Sequence, residues 1–185
     1  LASAYVLMNE VHAVSGTVEV HTKSGTLTVS QSDDVFTMDF PSRPPVPCEV
    51  PPGLKQALGT PVLETHASRD LLVLLESEDA IRSLRPDFSQ LKQHKDAFAI
   101  IVTARGTDCD FVSRFFAPGA GIPEDPVTGS SHSTLIPFWH ARLGRNQMIA
   151  RQLSARGGTL MCEYCGDRVK IGGTAVCYLR GVINL

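Results

Sequence analysis

The amino-acid sequence predicts an α+β fold, and three observations carry that prediction. Strand patterns outnumber helical ones; the strands are joined as hairpins by short Gly- and Asp-containing turns instead of alternating with helices; and one helix, after Gly129, is apolar around most of its circumference. A helix of that kind is buried on most sides, as it would be if a sheet surrounded it. With 185 residues, 43% of them apolar, the chain is long enough to bury a sizeable core in one or two domains.

Residues 1–14, LASAYVLMNEVHAV, read as a helix already under way: Leu1, Ala4, Tyr5 and Met8 fall at helical spacing with no capping residue before them. Leu1 is not an initiator methionine, and the segment has neither the basic start nor the small-residue cleavage site of a signal peptide, so residues upstream of Leu1 are expected. Residues 17–22 and 26–31 then alternate apolar and polar around Lys23-Ser24-Gly25, a hairpin signal, and residues 35–40 add a third strand. Six of the twelve prolines lie within residues 41–52, which excludes helix and central strand and favours an extended connection. The domain boundary is placed there: residues 1–42 form the remnant of an N-terminal lobe and residues 43–185 a C-terminal lobe, whose last strand is free to return to the first.

Beyond the prolines, residues 53–58, 78–84 and 88–94 read as short helices, and residues 71–75, 98–103 and 110–116 as strands. The apolar helix runs to about Leu143, with Gly144 as its C-terminal stop. Pro137 lies inside it and removes one ladder bond, at a cost of about 3 kcal/mol in an ordinary interior, so a kink near Ser133 is expected. Residues 149–154, 159–164, 168–171 and 174–184 complete an antiparallel set joined at Gly157-Gly158, Gly166-Asp167 and Gly172-Gly173.

A net charge of −2 with no basic cluster argues against nucleic-acid binding, and no long apolar span predicts a membrane crossing. The expected partner is a small molecule or another protein. Five cysteines, an odd count at irregular spacing in a chain too large to need a disulfide scaffold, indicate reduced thiols and a cytoplasmic setting.

The segment GIPEDPVTGSSH, residues 121–132, is the candidate site. It brings acidic Glu124 and Asp125, a break at Pro126, and then Thr128-Gly129-Ser130-Ser131 and His132 where the apolar helix begins. The first amides of a helix lack internal partners and lie at the positive end of its dipole, so such a turn can hold a carboxylate or an oxyanion. Gly129 permits close approach to the backbone, and Ser130 or Ser131 can donate a hydroxyl hydrogen bond. A structural reading stands beside this one: Asp125 complements the dipole while Thr128 or Ser130 caps the helix, which stabilises by about 1 kcal/mol.

The string EDPVTGSSH, followed by a helix containing Pro-Phe-Trp and then ARLG, resembles the signature segment of the phenazine-biosynthesis PhzF-like family, which often reads EDPVTGSAH. The ending, RGGTLMCEYCGDRVKIGGTAVCYLRGVI, is similar to the closing hairpins of that family, and LASAYVL matches the stretch that the family carries directly after a Cys-Gly-His-Ala-Thr segment. The resemblance implies a diaminopimelate-epimerase-like fold of two lobes, each a curled antiparallel sheet around a central helix, with the first lobe incomplete here. It also implies a cofactor-independent isomerase, without metal, that moves a carbon-bound proton on a small carboxylated metabolite, commonly as a homodimer. Asp125 then orients a polar substituent of the substrate and Ser130 holds its carboxylate, with Thr128, Gly129, Ser131 and His132 as further substrate-binding residues. The acid/base glutamate and the Gly-His-Ala-Thr histidine of the family fall upstream of Leu1. On that reading the 185 residues alone are inactive as an isomerase, and an incomplete lobe invites association through exposed sheet edges.

Competing chemistries weaken on inspection. Fold relatives that racemise with two thiols carry a cysteine where Thr128 stands, and a threonine hydroxyl is too weak an acid to replace a thiolate. Cys162-x-x-Cys165 lacks a second pair at zinc-binding spacing, and Arg114 and Arg156 suit salt bridges better than a substrate carboxylate. The alternative of a different class is a non-catalytic member of the same fold that binds a protein partner.

Overall fold

Alternating side chains in the first forty residues fold, as their period requires, into a meander. The computed structural model of the protein describes residues 1–22 and 25–182, so Lys23 and Ser24 of the expected hairpin turn, and the end of the last expected strand, lie outside the described residues. The chain divides into two units, Leu1–Asp39 with Gly172–Leu185, and Phe40–Ile171.

In the first unit, β1 (Thr17–Thr22) pairs antiparallel with β2 (Gly25–Ser32), Val18 opposite Val29 and Val20 opposite Leu27, and β2 pairs antiparallel with β3 (Val35–Pro41). Helix α1 (Ala2–Tyr5) opens into a wider π turn, Val6–Glu10, in which the Val11 amide donates to the Val6 carbonyl. Ala4 and Met8 pack there against Val29 and Phe36, with the Tyr5 and Phe36 rings 5.8 Å apart. The helix expected through residue 14 thus ends earlier. His12 takes φ 53°, outside helical backbone, and Val11 is exposed, so the apolar pattern beyond Glu10 has no core to meet.

In the second unit the strands lie in the order β4 (Val46–Cys48), β5 (Glu64–Ala67), β6 (Leu71–Leu74), β7 (Ile100–Arg105), β8 (Phe111–Phe116), β9 (Gln147–Gln152), β10 (Gly158–Cys165) and β11 (Arg168–Thr174). The sheet is mixed, where the hairpin reading expected antiparallel pairs: β6 runs parallel to β7, and β8 parallel to β9. Both parallel pairs require crossovers. The first is made by α3 (Glu78–Ser83) and α4 (Phe88–Leu91), the second by α5 (His132–Leu143). Ser77 caps α3 by accepting the Ala80 amide, and Asp87 caps α4 by accepting those of Ser89 and Gln90.

The middle strands are apolar along their length because both faces are covered. Leu72, Ile101, Phe111 and Phe115 pack on one face with Leu135, Ile136, Phe138 and Trp139 of α5. Leu71, Val73, Ile100, Val102 and Phe116 pack on the other with Ile81 of α3, Leu91 of α4, and Leu54 and Leu58 of α2 (Leu54–Leu58). Trp139 stacks on Phe111 at 5.7 Å and donates its indole N–H to Thr103 Oγ1 at 2.9 Å. Gly144, at φ 65°, ends α5 in the left-handed conformation. The helix is continuous through Pro137, and the Ser133 carbonyl that Pro137 cannot serve accepts the Arg43 amide at 2.8 Å.

Three further differences from the sequence reading have physical causes. The proline-rich stretch contains β4, paired on one side only with β5, a position that spares Pro47 the ladder bond it cannot donate. β5, with the sequence ETHA, is too short and too polar to show a period. Finally, β11 is one strand ending at Thr174, and residues 175–182 make no ladder, with Val176, Tyr178, Leu179 and Val182 exposed. Alternation alone does not make a strand without a neighbour to take its backbone groups. Among the described residues no helix is long and apolar enough to cross a membrane.

Candidate functional site at the start of α5

The loop between β8 and α5 folds back on the sheet because its backbone finds partners there. The Asp125 amide donates to the Phe115 carbonyl at 3.0 Å, and Gln152, at the end of β9, clasps the rest. Gln152 Oε1 accepts the Thr128 amide at 2.8 Å, while Nε2 donates to the Asp125 carbonyl at 2.7 Å and to Thr128 Oγ1 at 3.2 Å. The Thr128 hydroxyl in turn donates to the Asp125 carboxylate. Asp125 and Thr128 are therefore held as one turn at the mouth of α5.

Ser131 and His132 close that turn from behind. The Ser131 hydroxyl and His132 Nδ1 both reach the Thr128 carbonyl, at 2.8 and 2.9 Å. A carbonyl only accepts, so Nδ1 carries the histidine proton and Nε2 is bare. Nε2 has no partner among the described residues. The ring is wholly buried, 6.0 Å from that of Phe111, and burial lowers its pKa to about 4, so it is neutral near pH 7.

Ser130 is placed differently. Its Oγ accepts from Arg69 Nη2 at 3.3 Å, which leaves its own proton free, and among the described residues no hydrogen bond is made to the amides of Gly129, Ser130 or Ser131. Neither Thr128 nor Ser130 caps the helix: Ser131 stands at the N-cap position and makes no side-chain cap bond. The start of α5 thus carries unpartnered amides, a free hydroxyl proton and a nearby guanidinium, a set of donors suited to an oxyanion.

The neighbouring residues sort by their partners. Glu124 is turned to Arg114, which grips it at 2.7 and 2.9 Å while its Nη1 serves the carbonyls of Ile81 and Leu84; Arg114 is thereby a structural cation. Arg156 is exposed. Cys162 is buried, with its thiol pKa pushed well up by burial, while Cys165, three residues along the same strand, is exposed. Residues three apart on a strand face opposite sides.

Sequence reasoning missed Gln152 and Arg69. For Gln152 a signal existed: Met148, Ala150 and Gln152 alternate inward along β9, and a polar residue in such a series needs a partner. Arg69 lies in the turn between β5 and β6, 61 positions from Ser130, and nothing local announces the contact.

The model for the family described as "Phenazine biosynthesis-like protein" matches residues 1–181. An uncharacterized isomerase of Pseudomonas aeruginosa is 47% identical over 186 residues, covering all of this chain and 71% of its own length. The crystal structure of a PhzF-family phenazine biosynthesis protein from Enterococcus faecalis superposes with a TM-score of 0.96 at 41% identity, covering 100% of this chain and 71% of that one. A Pseudomonas aeruginosa structure described as a "Predicted Epimerase" shares the fold at TM-score 0.59 and 15% identity, over 92% of this chain and 68% of that one. The α+β fold expected from the hairpin pattern is thus of the diaminopimelate-epimerase-like kind, and the chain belongs to the PhzF-like phenazine biosynthesis family.

Proposed function

We propose that the chain supplies the carboxylate-binding half of a cofactor-independent isomerase that moves a carbon-bound proton on a small carboxylated metabolite. One observation carries the reading: Ser130 offers a free hydroxyl proton beside the unpartnered amides of Gly129, Ser130 and Ser131, one turn from the anchored carboxylate of Asp125. Moving a proton alpha to a carboxylate, or within a conjugated acid, builds negative charge on that group, and donors already in place lower the barrier because they need not reorganise. In this reading Ser130 and the amides hold the substrate carboxylate. Asp125, fixed by Thr128, orients a polar substituent. Gln152, Ser131 and His132 keep the turn in shape. By the family resemblance, the carboxylate that carries the proton stands upstream of the position of Leu1.

The test uses a chain extended to the length of its relatives and monitors loss of a carbon-bound proton signal from candidate carboxylic acids in deuterium oxide. Exchange that falls by about 100-fold or more in Ser130→Ala, since removing one oxyanion donor costs on that order, and that falls also in Asp125→Asn, supports the assignment. Exchange that survives both substitutions would refute it. Binding of carboxylates with no exchange at all would favour the non-catalytic reading.

A further inference from the structure

The β5–β6 turn presents a cation held in an unusual way. Asp70 is fully buried, and its carboxylate accepts from Arg69 Nε at 3.1 and 3.2 Å and from Nη2 at 2.6 Å. The guanidinium also lies over the Phe98 ring, 5.1 Å from its centroid. One edge and one face of Arg69 are therefore fixed. From that position Nη2 reaches Ser130 Oγ, and Nη1 has no partner among the described residues. An arginine locked in this way loses little side-chain freedom when it binds a further group.

The contact with Ser130 also sets the polarity of the subsite. Because Ser130 Oγ accepts from Arg69, its hydroxyl proton is left to donate elsewhere, and among the described residues Nη1 and the amides of Gly129, Ser130 and Ser131 are likewise donors without a partner. A carboxylate offers acceptors alone and satisfies such a set. A carboxamide of the same shape must turn an NH₂ group toward donors, and a mismatched polar contact of that kind is heavily penalised.

We propose that Arg69 is a substrate-binding residue that makes the start of α5 a subsite for an ionised carboxylate and rejects the isosteric amide. This rests on the carboxylate-binding reading above and adds to it the residue that sets the selectivity. Asp70 and Phe98 are positioning residues that act through Arg69.

The experiment titrates the protein with benzoate and with benzamide, a planar isosteric pair, and reads the ¹H–¹⁵N shifts of Gly129, Ser130 and Ser131. The variants are Arg69→Lys, which keeps the charge without the fork, and the double change Arg69→Met with Asp70→Asn, which avoids stranding a buried carboxylate. The remaining amide spectrum reports whether each variant is folded. Benzoate is expected to shift the three amides and benzamide to bind at least about 10-fold more weakly, as the loss of a charge-assisted hydrogen bond implies. The double variant is expected to weaken benzoate by about 10-fold and bring the two probes together, with Arg69→Lys in between. A folded double variant that keeps the affinity and the preference of the parent overturns the role of Arg69 and leaves the subsite standing. Failure of benzoate to move the three amides in the parent overturns the carboxylate-binding reading itself, and this inference with it.

Discussion

Replacing Gln152 by leucine tests whether the clasp holds the site. The side chain is 1% exposed, and leucine has a similar volume, so the change removes hydrogen bonds without opening a large cavity. The Thr128 amide, on a residue only 7% exposed, loses its acceptor, which costs about 1–3 kcal/mol for a buried donor left alone. The Asp125 carbonyl and Thr128 Oγ1 each lose a donor, worth about 1 kcal/mol apiece. The expected loss is about 3–5 kcal/mol, and for a chain of this length that lowers Tm by roughly 6–20 °C. Scanning calorimetry measures the shift, and hydrogen exchange at the Thr128 amide locates it. A Tm within roughly 1 °C of the parent, with the Thr128 amide still protected, would show that the turn is held by something other than Gln152.

The same packing has two further measurable consequences. His132 has a folded pKa of about 4 against an ordinary 6.5, so the unfolded chain takes up its proton first as pH falls. Its contribution is therefore complete above pH 6.5 and is lost between 6.5 and 4, on the order of 3 kcal/mol in all. Urea midpoints at pH 7.5 and 5 should diverge more in the parent than in His132→Gln, and an imidazole that titrates near its ordinary value by NMR would contradict the burial argument. Gly158→Ala places a Cβ 2.5 Å from Val127 Cγ2, next to Thr128, and is expected to cost about 1–3 kcal/mol. If the cause is steric, Val127→Ala in the same chain recovers much of the loss, and no recovery points to a different cause.

The elements that could be read from the sequence were those whose own residues state their surroundings. Leu71–Leu74 and Ile100–Arg105 are apolar on both faces because helices cover both, and the composition of a strand shows that directly. Gly144 marks the end of α5 because the position needs a positive φ. The candidate turn was legible for a related reason: acidic residues, Pro126, Gly129 and hydroxyls before an apolar helix describe local backbone chemistry. What a single segment could not state was pairing. Whether two neighbouring strands run parallel depends on the crossover between them, and β5 and residues 175–182 differ in having or lacking a neighbour more than in pattern.

Local sequence therefore determined that this chain builds an α+β fold with a buried helix whose first turn is rich in donors, since periodicity, glycine and hydroxyl placement act within a few residues. Only tertiary structure decided how that turn is held. The Arg43 amide takes the carbonyl left by Pro137, Gln152 fixes Asp125 to Thr128, Arg114 takes Glu124, and Arg69 reaches Ser130. Each joins residues of different elements of the fold, and each exists because a polar group at the edge of a packed core must find its partner wherever the fold brings one.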